Sequence, residues 1–407
     1  MKITKKLLLV LLLYTAAQGL LLALGLMGNP DPAALEKALA FFSPEEISRG
    51  EASFFRGIIP ATLLRLTIVW LLFAAIKADL HDRLFPRIAR FTGSPFLQGL
   101  ICLMVIALTL VLITLPFAAV SDYYRKLHFG LLRSGFGLWL YRHLLSSLTS
   151  YGSAALLMAV ALSLIRRGRL YALTVPSLVL VFSLAGVWLY PRIITPLLYK
   201  TEPVRDVALL RDINALLAKA GTEVQRIRVI NESRYSSLAN AYFTGFGAAR
   251  EIHLYDTLLK NHNREEILLV VAHELCHYRE EHVMIGLLLS AAAASFILLL
   301  MSLAAQGLFG RSLRELAREN RLPVMILLLL FFLFLGKPAS NGVSRCMERR
   351  CDRYTLALTG NRAAFVRLQI RLTRSNLSTI LPHPAYTWFY ATHPPVLKRI
   401  ALAEKEH

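Results

Sequence analysis

The stretch VVAHELCHYREEH, residues 270–282, contains two histidines four positions apart, with a glutamate directly after the first. It continues the segment NHNREEILL, in which Asn263 and Glu266 have the spacing of a capping box and so predict the start of a helix. No Pro or Gly interrupts the chain from Asn263 to the end of the stretch, so we predict one helix with His273 and His277 well inside it. Because positions i and i+4 lie on one helical face, both imidazoles can bind the same metal ion.

Glu274 completes the pattern HExxH, which is typical of zinc peptidases. In that chemistry the two imidazoles bind zinc and the glutamate accepts a proton from the attacking water. The alternative is a helix that merely carries surface histidines, because so short a pattern also occurs by chance. A third ligand elsewhere in the chain would favour the metal site, since a catalytic zinc usually has three protein ligands.

The composition indicates a membrane protein. Of the 407 residues 56% are hydrophobic, well above the share in soluble domains. The apolar residues form seven long runs, at about 7–27, 58–77, 98–120, 149–165, 171–190, 285–305 and 323–336. The first run follows MKITKK and resembles a signal peptide, but it is long enough to span and is predicted to be an uncleaved helix. We therefore expect a multi-pass integral membrane protein in contact with the lipid bilayer.

The net charge of +20 does not indicate a nucleic-acid partner. Lys and Arg flank the apolar runs, as juxtamembrane residues do, and no motif for binding DNA or RNA is present. The four cysteines, Cys102, Cys276, Cys346 and Cys351, form neither a CxxC pattern nor a disulfide framework. Cys276 and Cys351 lie beside the candidate ligands, and we expect them to fill buried gaps rather than bind zinc.

Residues 199–284 differ from the apolar runs and read as a small mixed domain. DVALLRDINALLAKAG predicts an amphipathic helix, RIRVI predicts a strand, and NAYFTGFG with EIHLY predicts a hairpin or small meander. The expected divisions are a five-helix transmembrane region at 1–198, the HExxH-bearing domain at 199–284, a transmembrane hairpin at 285–336 and a C-terminal part of the peptidase domain at 337–407.

Counting membrane crossings narrows the search for a third ligand. The run at 285–305 carries the chain across the membrane and the run at 323–336 returns it, so carboxylates in the loop between them lie on the far side. Glu348 is the first plausible carboxylate on the side of the histidines. It lies in the segment SRCMERRCDRYTLALTG, which reads as a helix ending at Gly360. Asp352 follows one turn later and can accept the second ring N–H of a ligand histidine.

These residues resemble the type I CAAX prenyl proteases, which are seven-span membrane zinc metallopeptidases. The similar segments are YPRIITPLLYK, SSLANAYFTGFGAAREIHLYDTLL, HELCHYREEH, ERRCD and THPPVLKRI. The family usually has glycine where Cys276 stands and an aromatic-alanine pair before the residue equivalent to Asp352. The long insertion of animal members is absent, which favours a bacterial protein and hence a bacterial cell (inner) membrane.

The resemblance implies a mainly α membrane protein in which seven transmembrane helices enclose a chamber, together with an HExxH zinc-peptidase domain carrying a small β-hairpin or sheet. It implies one Zn²⁺ per chain, bound by His273, His277 and Glu348. His393 would donate to the developing oxyanion, and an edge strand at Asn240, Ala241 and Tyr242 would bind the substrate backbone.

Some questions stay open at this point. The substrate is either a C-terminal peptide of the prenylated type or a membrane protein in quality control. A zinc-binding transporter or pore, with Arg65 of the second span lining a pathway, is the alternative function. The resemblance implies a cytosolic site, whereas the distribution of Lys and Arg puts HExxH outside the cytoplasm by the positive-inside rule.

Overall fold

The computed structural model describes residues 5–168, 170–244 and 251–405. Its helices are α1 Lys5–Met27, α2 Pro32–Leu39, α3 Pro44–Lys77, α4 Leu80–Ala89, α5 Pro95–Ala118, α6 Arg125–His128, α7 Phe136–Arg167, α8 Tyr171–Leu189, α9 Thr195–Leu198, α10 Val207–Lys219, α11 Asp256–Asn261, α12 Arg264–Arg279, α13 His282–Phe309, α14 Leu313–Arg318, α15 Leu322–Thr359, α16 Arg362–Asn376, α17 Pro384–Tyr390 and α18 Val396–Lys405. Two π-helical segments, Ala119–Tyr124 and Tyr190–Ile194, join α5 to α6 and α8 to α9.

Seven helical segments of the described chain are long and apolar enough to cross a membrane. They are α1, α3, α5 with its continuation to His128, α7, α8 with its continuation to Leu198, α13 and α15. This confirms the seven spans predicted from the apolar runs. The helices are longer than those runs because several continue beyond the apolar part with polar residues.

The spans are arranged around an interior. Helices α3, α5, α7, α8, α13 and α15 form a closed ring in which each packs against the next and α15 packs against α3. α1 packs against α3 and α17. A shared apolar core fills the helix contacts and includes Leu11, Leu103, Leu162, Met301 and Met325. A closed ring is the arrangement expected of helices that enclose a chamber.

The longest helix joins the membrane part to the candidate site. The sequence predicts a short seventh span at 323–336 and then a separate basic helix, but α15 is a single helix of 38 residues. At 1.5 Å per residue it is about 57 Å long. The expected division at residue 337 falls inside it, so the span and the segment carrying Glu348 form one continuous rod.

The sheet has four strands, β1 Thr201–Pro203, β2 Arg226–Ile230, β3 Ala241–Thr244 and β4 Glu251–Tyr255, in the order β1-β2-β4-β3. β3 and β4 are antiparallel, which confirms their predicted pairing; the loop between them, residues 245–250, lies outside the described residues. The meander is wrong, because β2 pairs with β4 in parallel and β3 takes the edge. β1 was not predicted, since TEP is too short to show an alternating pattern.

The HExxH helix, α12, begins as predicted but ends earlier. Asn263 Oδ1 accepts from the Glu266 backbone N–H at 2.9 Å, and Glu266 Oε2 accepts from the Asn263 backbone N–H at 3.3 Å, which completes the capping box. The helix ends at Arg279, and the prediction that it continues through Glu281 is wrong. Glu281 has φ of 51°, in the left-handed region, and α13 starts at His282. The break changes the chain direction without Pro or Gly.

Candidate metal centre and active site

Apolar packing fixes the orientation of α12. Val271 and Leu275 lie in the core that α12 shares with the sheet, and Leu269 packs with Leu356 of α15 in a second apolar cluster. Leu269 stands one turn before His273, so the face of α12 that carries the histidines is turned toward the polar half of α15.

The two histidines and Glu348 meet in a tight triangle. His273 Nε2 is 3.2 Å from Glu348 Oε2, and His277 Nε2 is 3.3 Å from Glu348 Oε1. The two Nε2 atoms are 3.3 Å apart. The structure thus brings together the three residues that the sequence proposed as ligands, although Glu348 is far from the histidines in the chain.

This triangle fits a zinc ion. Nitrogen and oxygen ligands bind zinc at about 2.0–2.2 Å, so two of them on a tetrahedral ion are separated by about 3.3 Å. The three measured separations in the triangle match this value. Two imidazoles and one carboxylate are also the ligand set of well-known zinc peptidases. The chain therefore has the residues that a catalytic zinc requires.

Asp352 supports the triangle from behind. It is fully buried, and its Oδ1 lies 3.1 Å from His273 Nδ1, the nitrogen that faces away from Glu348. The contact is close, but the N–H is not aligned with the oxygen as in an ideal hydrogen bond. Arg399 Nε donates to Asp352 Oδ2 at 2.8 Å, which balances the buried charge. A carboxylate in this position holds the histidine with Nε2 free for a metal.

Glu274 and His393 face the same cavity as the triangle. The cavity has a volume of about 600 Å³, and its walls include His273, Glu274, Glu348 and His393. Burial raises the pKa of Glu274 above its ordinary value. A raised pKa suits a group that must both accept and release a proton near neutral pH. His393 Nε2 lies 3.4 Å from Glu348 Oε1, and the imidazole is 60% exposed.

The three residues predicted to bind substrate have different surroundings. Asn240 lines the cavity, and its carbonyl accepts from the Tyr255 backbone N–H at 3.0 Å. Ala241, the first residue of β3, is buried. The Tyr242 ring stacks on His253 of β4 with centroids 5.0 Å apart. β3 pairs with β4 on one side only, so it is an edge strand in the described sheet.

Two further residues lie at the centre whose contacts were not predicted from the sequence. Arg399, the partner of Asp352, lies in THPPVLKRI. No local sequence pattern in that segment predicts a buried ion pair with a residue of α15. His282 Nδ1 lies 3.0 Å from His277 Nδ1, so it contacts the second ring nitrogen of a candidate ligand. The break at Glu281 gives His282 this position, and no signal in the sequence marked that break.

The two cysteines near the centre are fully buried, as expected of gap-filling side chains. Cys276 lies on α12 and Cys351 on α15, and the neighbouring Cys351 lowers the pKa of the Cys276 thiol. Cys351 Sγ is also 3.7 Å from His282 Nδ1. Cys276, Cys351, His277 and His282 therefore form a compact group of N and S atoms behind the candidate ligands.

Comparisons with known proteins agree with this geometry. The model of peptidase family M48 matches residues 203–407, and the model of the CAAX prenyl protease N-terminal region, with five membrane helices, matches residues 44–200. An uncharacterized metalloprotease of Bacillus subtilis, YhfN, is 33% identical over 322 residues, which cover 76% of this chain and 74% of that protein. The probable CAAX prenyl protease 1 of Schizosaccharomyces pombe is 27% identical, over 90% of this chain and 78% of that protein.

A solved structure has the same fold. The crystal structure of S. mikatae Ste24p superposes with a TM-score of 0.80 at 20% identity, covering 98% of this chain and 99% of that one. These matches favour a peptidase, and none of them supports the transporter alternative. The chain belongs to peptidase family M48 and is an integral-membrane metallopeptidase.

Proposed function

We propose that the chain is a zinc endopeptidase with one Zn²⁺ bound by His273, His277 and Glu348. The observation that carries the proposal is the triangle of their donor atoms in the cavity that Glu274 also lines. Two imidazoles, a carboxylate and an adjacent unbound glutamate are the set required for metal-assisted hydrolysis. A transporter requires the ligands but has no use for the glutamate.

The residues have separate roles in this mechanism. Zinc, when bound, polarises the scissile carbonyl and makes water more acidic. Glu274 accepts the proton of the attacking water and delivers it to the leaving amine. His393 donates to the carbonyl oxygen as that atom gains negative charge. Asp352 keeps His273 in the tautomer that can bind the metal.

The proposed substrate is the C-terminal peptide of a membrane-attached protein. The names of several relatives, among them CAAX prenyl protease 1 of Saccharomyces cerevisiae, support this class. The substrate backbone would extend along Asn240, Ala241 and Tyr242, at the free edge of the sheet. Cleavage of internal sites in membrane proteins, as in quality control, is the competing outcome.

Comparing Glu274→Gln with the unaltered protein tests the function. Glutamine keeps the size of the side chain but cannot carry the proton, so we expect full metal content and a loss of peptide cleavage of about 10²–10⁴-fold. Metal per chain and hydrolysis of a quenched peptide are the measurements. A metal-loaded variant with full activity would remove Glu274 from the mechanism.

Proteomics of membranes that contain either the unaltered protein or the Glu274→Gln variant distinguishes terminal from internal cleavage, because each kind of cleavage leaves new C-termini at different positions.

The proposed location is the cell membrane of a bacterium, with the metal centre on the cytosolic side. The bacterial relative from Bacillus subtilis supports the first part, and the family resemblance supports the second. Lys260 is a suitable reporter, because it lies on α11 and its side chain is 62% exposed. A Lys260→Cys protein in intact cells should resist an impermeant thiol reagent and react after lysis. Labelling of intact cells would reverse the proposed orientation.

A further inference from the structure

Two cations in the membrane part converge on one aromatic ring. Arg65 lies on α3, and its guanidinium carbon is 4.9 Å from the ring centroid of Tyr390. Lys337 lies on α15, and its Nζ is 5.4 Å from the same centroid. Neither cation has an ion pair with any carboxylate in the described part of the chain.

Neutral groups hold Arg65 in position. Its Nη2 donates to Thr62 Oγ1 at 2.7 Å, and its Nε donates to Gln18 Oε1 at 3.2 Å. Gln18 is fully buried and also accepts from the Tyr390 hydroxyl at 2.8 Å. These contacts fix the guanidinium without neutralising it. Nη1 has no acceptor among the described residues, so this part of the guanidinium stays available for a ligand.

An uncompensated pair of cations in this position needs an explanation. Arg65 stands seven residues into the apolar run at 58–77, about 10 Å along the helix. Charged side chains at membrane depth are energetically unfavourable and usually mark a functional site, and two like charges at close range repel each other. A bound anion removes both penalties. A pair of cations without an acidic partner is therefore the expected form of an anion site before its ligand arrives.

The pair is connected to the active-site cavity. Tyr390, the ring that both cations approach, lines the cavity together with Glu274 and Glu348. Lys337 precedes Glu348 by eleven residues on α15, which is close to three full turns, so both residues lie on one helical face. Their separation along the helix axis is about 16 Å. Lys337 thus stands at a fixed distance from Glu348 along α15, and Arg65 reaches the same ring from α3.

We propose that Arg65 and Lys337 bind the C-terminal carboxylate of the peptide substrate and so select the bond that is cut. The inference rests on the proposed peptidase function and specifies its substrate. An extended chain advances about 3.3–3.6 Å per residue, so 16 Å corresponds to a C-terminal segment of up to about five residues. The guanidinium matches the planar carboxylate, and the lysine adds a point charge. The phosphate of a lipid is the competing ligand, but both cations converge on a cavity-lining ring.

Paired peptides provide the direct test. One fluorescent peptide sequence is made with a free C-terminal carboxylate and with a C-terminal amide. Binding of both is measured to zinc-loaded Glu274→Gln protein in phosphatidylcholine nanodiscs, where the peptide stays intact. We expect the acid to bind at least tenfold more tightly than the amide. Because this protein keeps both cations, the comparison does not depend on whether a cation variant folds.

Cation variants then assign the preference to the two residues. Arg65→Met and Lys337→Met, each in the Glu274→Gln background, should weaken acid binding to the level of the amide and leave amide binding unchanged. Lys337→Arg should restore most of the preference. Lys77→Met removes an exposed cation from the same helix, α3, and should change neither peptide. Zinc content should match the parent in all of them, since none touches a ligand.

Several results would overturn the anion site. Equal binding of acid and amide by the parent protein is one, and a parallel loss of both peptides in the Met variants is another. A third result concerns mixed nanodiscs that contain phosphatidylglycerol. If the Met variants retained less of this lipid while their preference for the acid peptide stayed intact, the two cations would be assigned to lipid. The proposed function fails separately, if unaltered zinc-loaded protein cleaves neither peptide while the acid preference persists.

Discussion

The two halves of α15 are built by different rules. In the half from residue 322 to 336, buried side chains such as Met325 and Leu327 pack into the apolar core of the spans. In the half from 337 to 359 the buried positions include Glu348 and Asp352, which contact histidines and Arg399. Apolar packing tolerates substitutions of similar volume, whereas a buried carboxylate requires each of its partners. One helix thus joins a membrane segment that tolerates substitutions to a metal centre that does not.

This difference has a direct consequence for mutations. A change in the polar half should alter metal binding more than the stability of the membrane part, and a change in the apolar half should do the opposite. Substitutions in each half of α15 test that separation, and the largest effect is expected at Glu348.

Glu348→Ala should abolish metal binding and activity. It removes the one carboxylate of the triangle and leaves two histidines, which are too few to hold a catalytic zinc. We expect the purified protein to lack metal and to show no cleavage of the quenched peptide, while the far-ultraviolet circular dichroism stays helical. Metal analysis after dialysis is the measurement.

Glu265→Ala is the matched control for that variant. Glu265 is an exposed carboxylate in the first turn of α12 itself, and among the described residues its ion pair is with Arg367 on the surface. This variant should keep its metal. If Glu348→Ala retained a tightly bound ion, the ligand assignment would be wrong, and His282 or Cys351 would be the next candidate.

The same division separates the features that the sequence predicts from those that it does not. The seven spans were predictable because each leaves a long apolar run, and Glu348 was predictable because counting two crossings returned the chain to the right side. The continuity of α15 was not predictable, because the apolar pattern stops at residue 336 and a proline such as Pro338 normally interrupts a helix. A proline is tolerated in such a helix when neighbours satisfy the freed carbonyl.

The contacts of the polar residues were only partly predictable. A contact between Asp352 and the second ring nitrogen of a ligand histidine was predictable, because helical spacing places Asp352 one turn from Glu348; the structure shows that this histidine is His273. The pairing of Asp352 with Arg399 depends on where the C-terminal helix α18 docks, and no local pattern reports that. The parallel pairing of β2 with β4 was missed for the same reason, because it joins strands that are not neighbours in the sequence.

Asp352→Asn should have an intermediate effect. Asparagine keeps the shape but removes the charge that faces His273 Nδ1 and Arg399. Loss of such an orienting carboxylate typically lowers metal affinity or activity by about 10–100-fold. We expect zinc to remain detectable but to dissociate at a lower chelator concentration than in the unaltered protein. Competition with a zinc-binding dye measures this, and an affinity equal to that of the unaltered protein would show that His273 does not need the carboxylate.

The smallest effect on the metal should come from a matched pair of leucines on α15. Leu327 in the apolar half and Leu356 in the polar half are each 4% exposed, so truncation to alanine removes equally buried side chains. Leu356 packs with Leu269, which lies one turn before His273 on α12, so Leu356→Ala should loosen the helix pair and weaken zinc binding several-fold. Leu327→Ala should lower the melting temperature of the protein and leave zinc affinity per folded chain unchanged, because its neighbours belong to the membrane core. Equal loss of zinc affinity in both variants would mean that the two halves of α15 do not act separately.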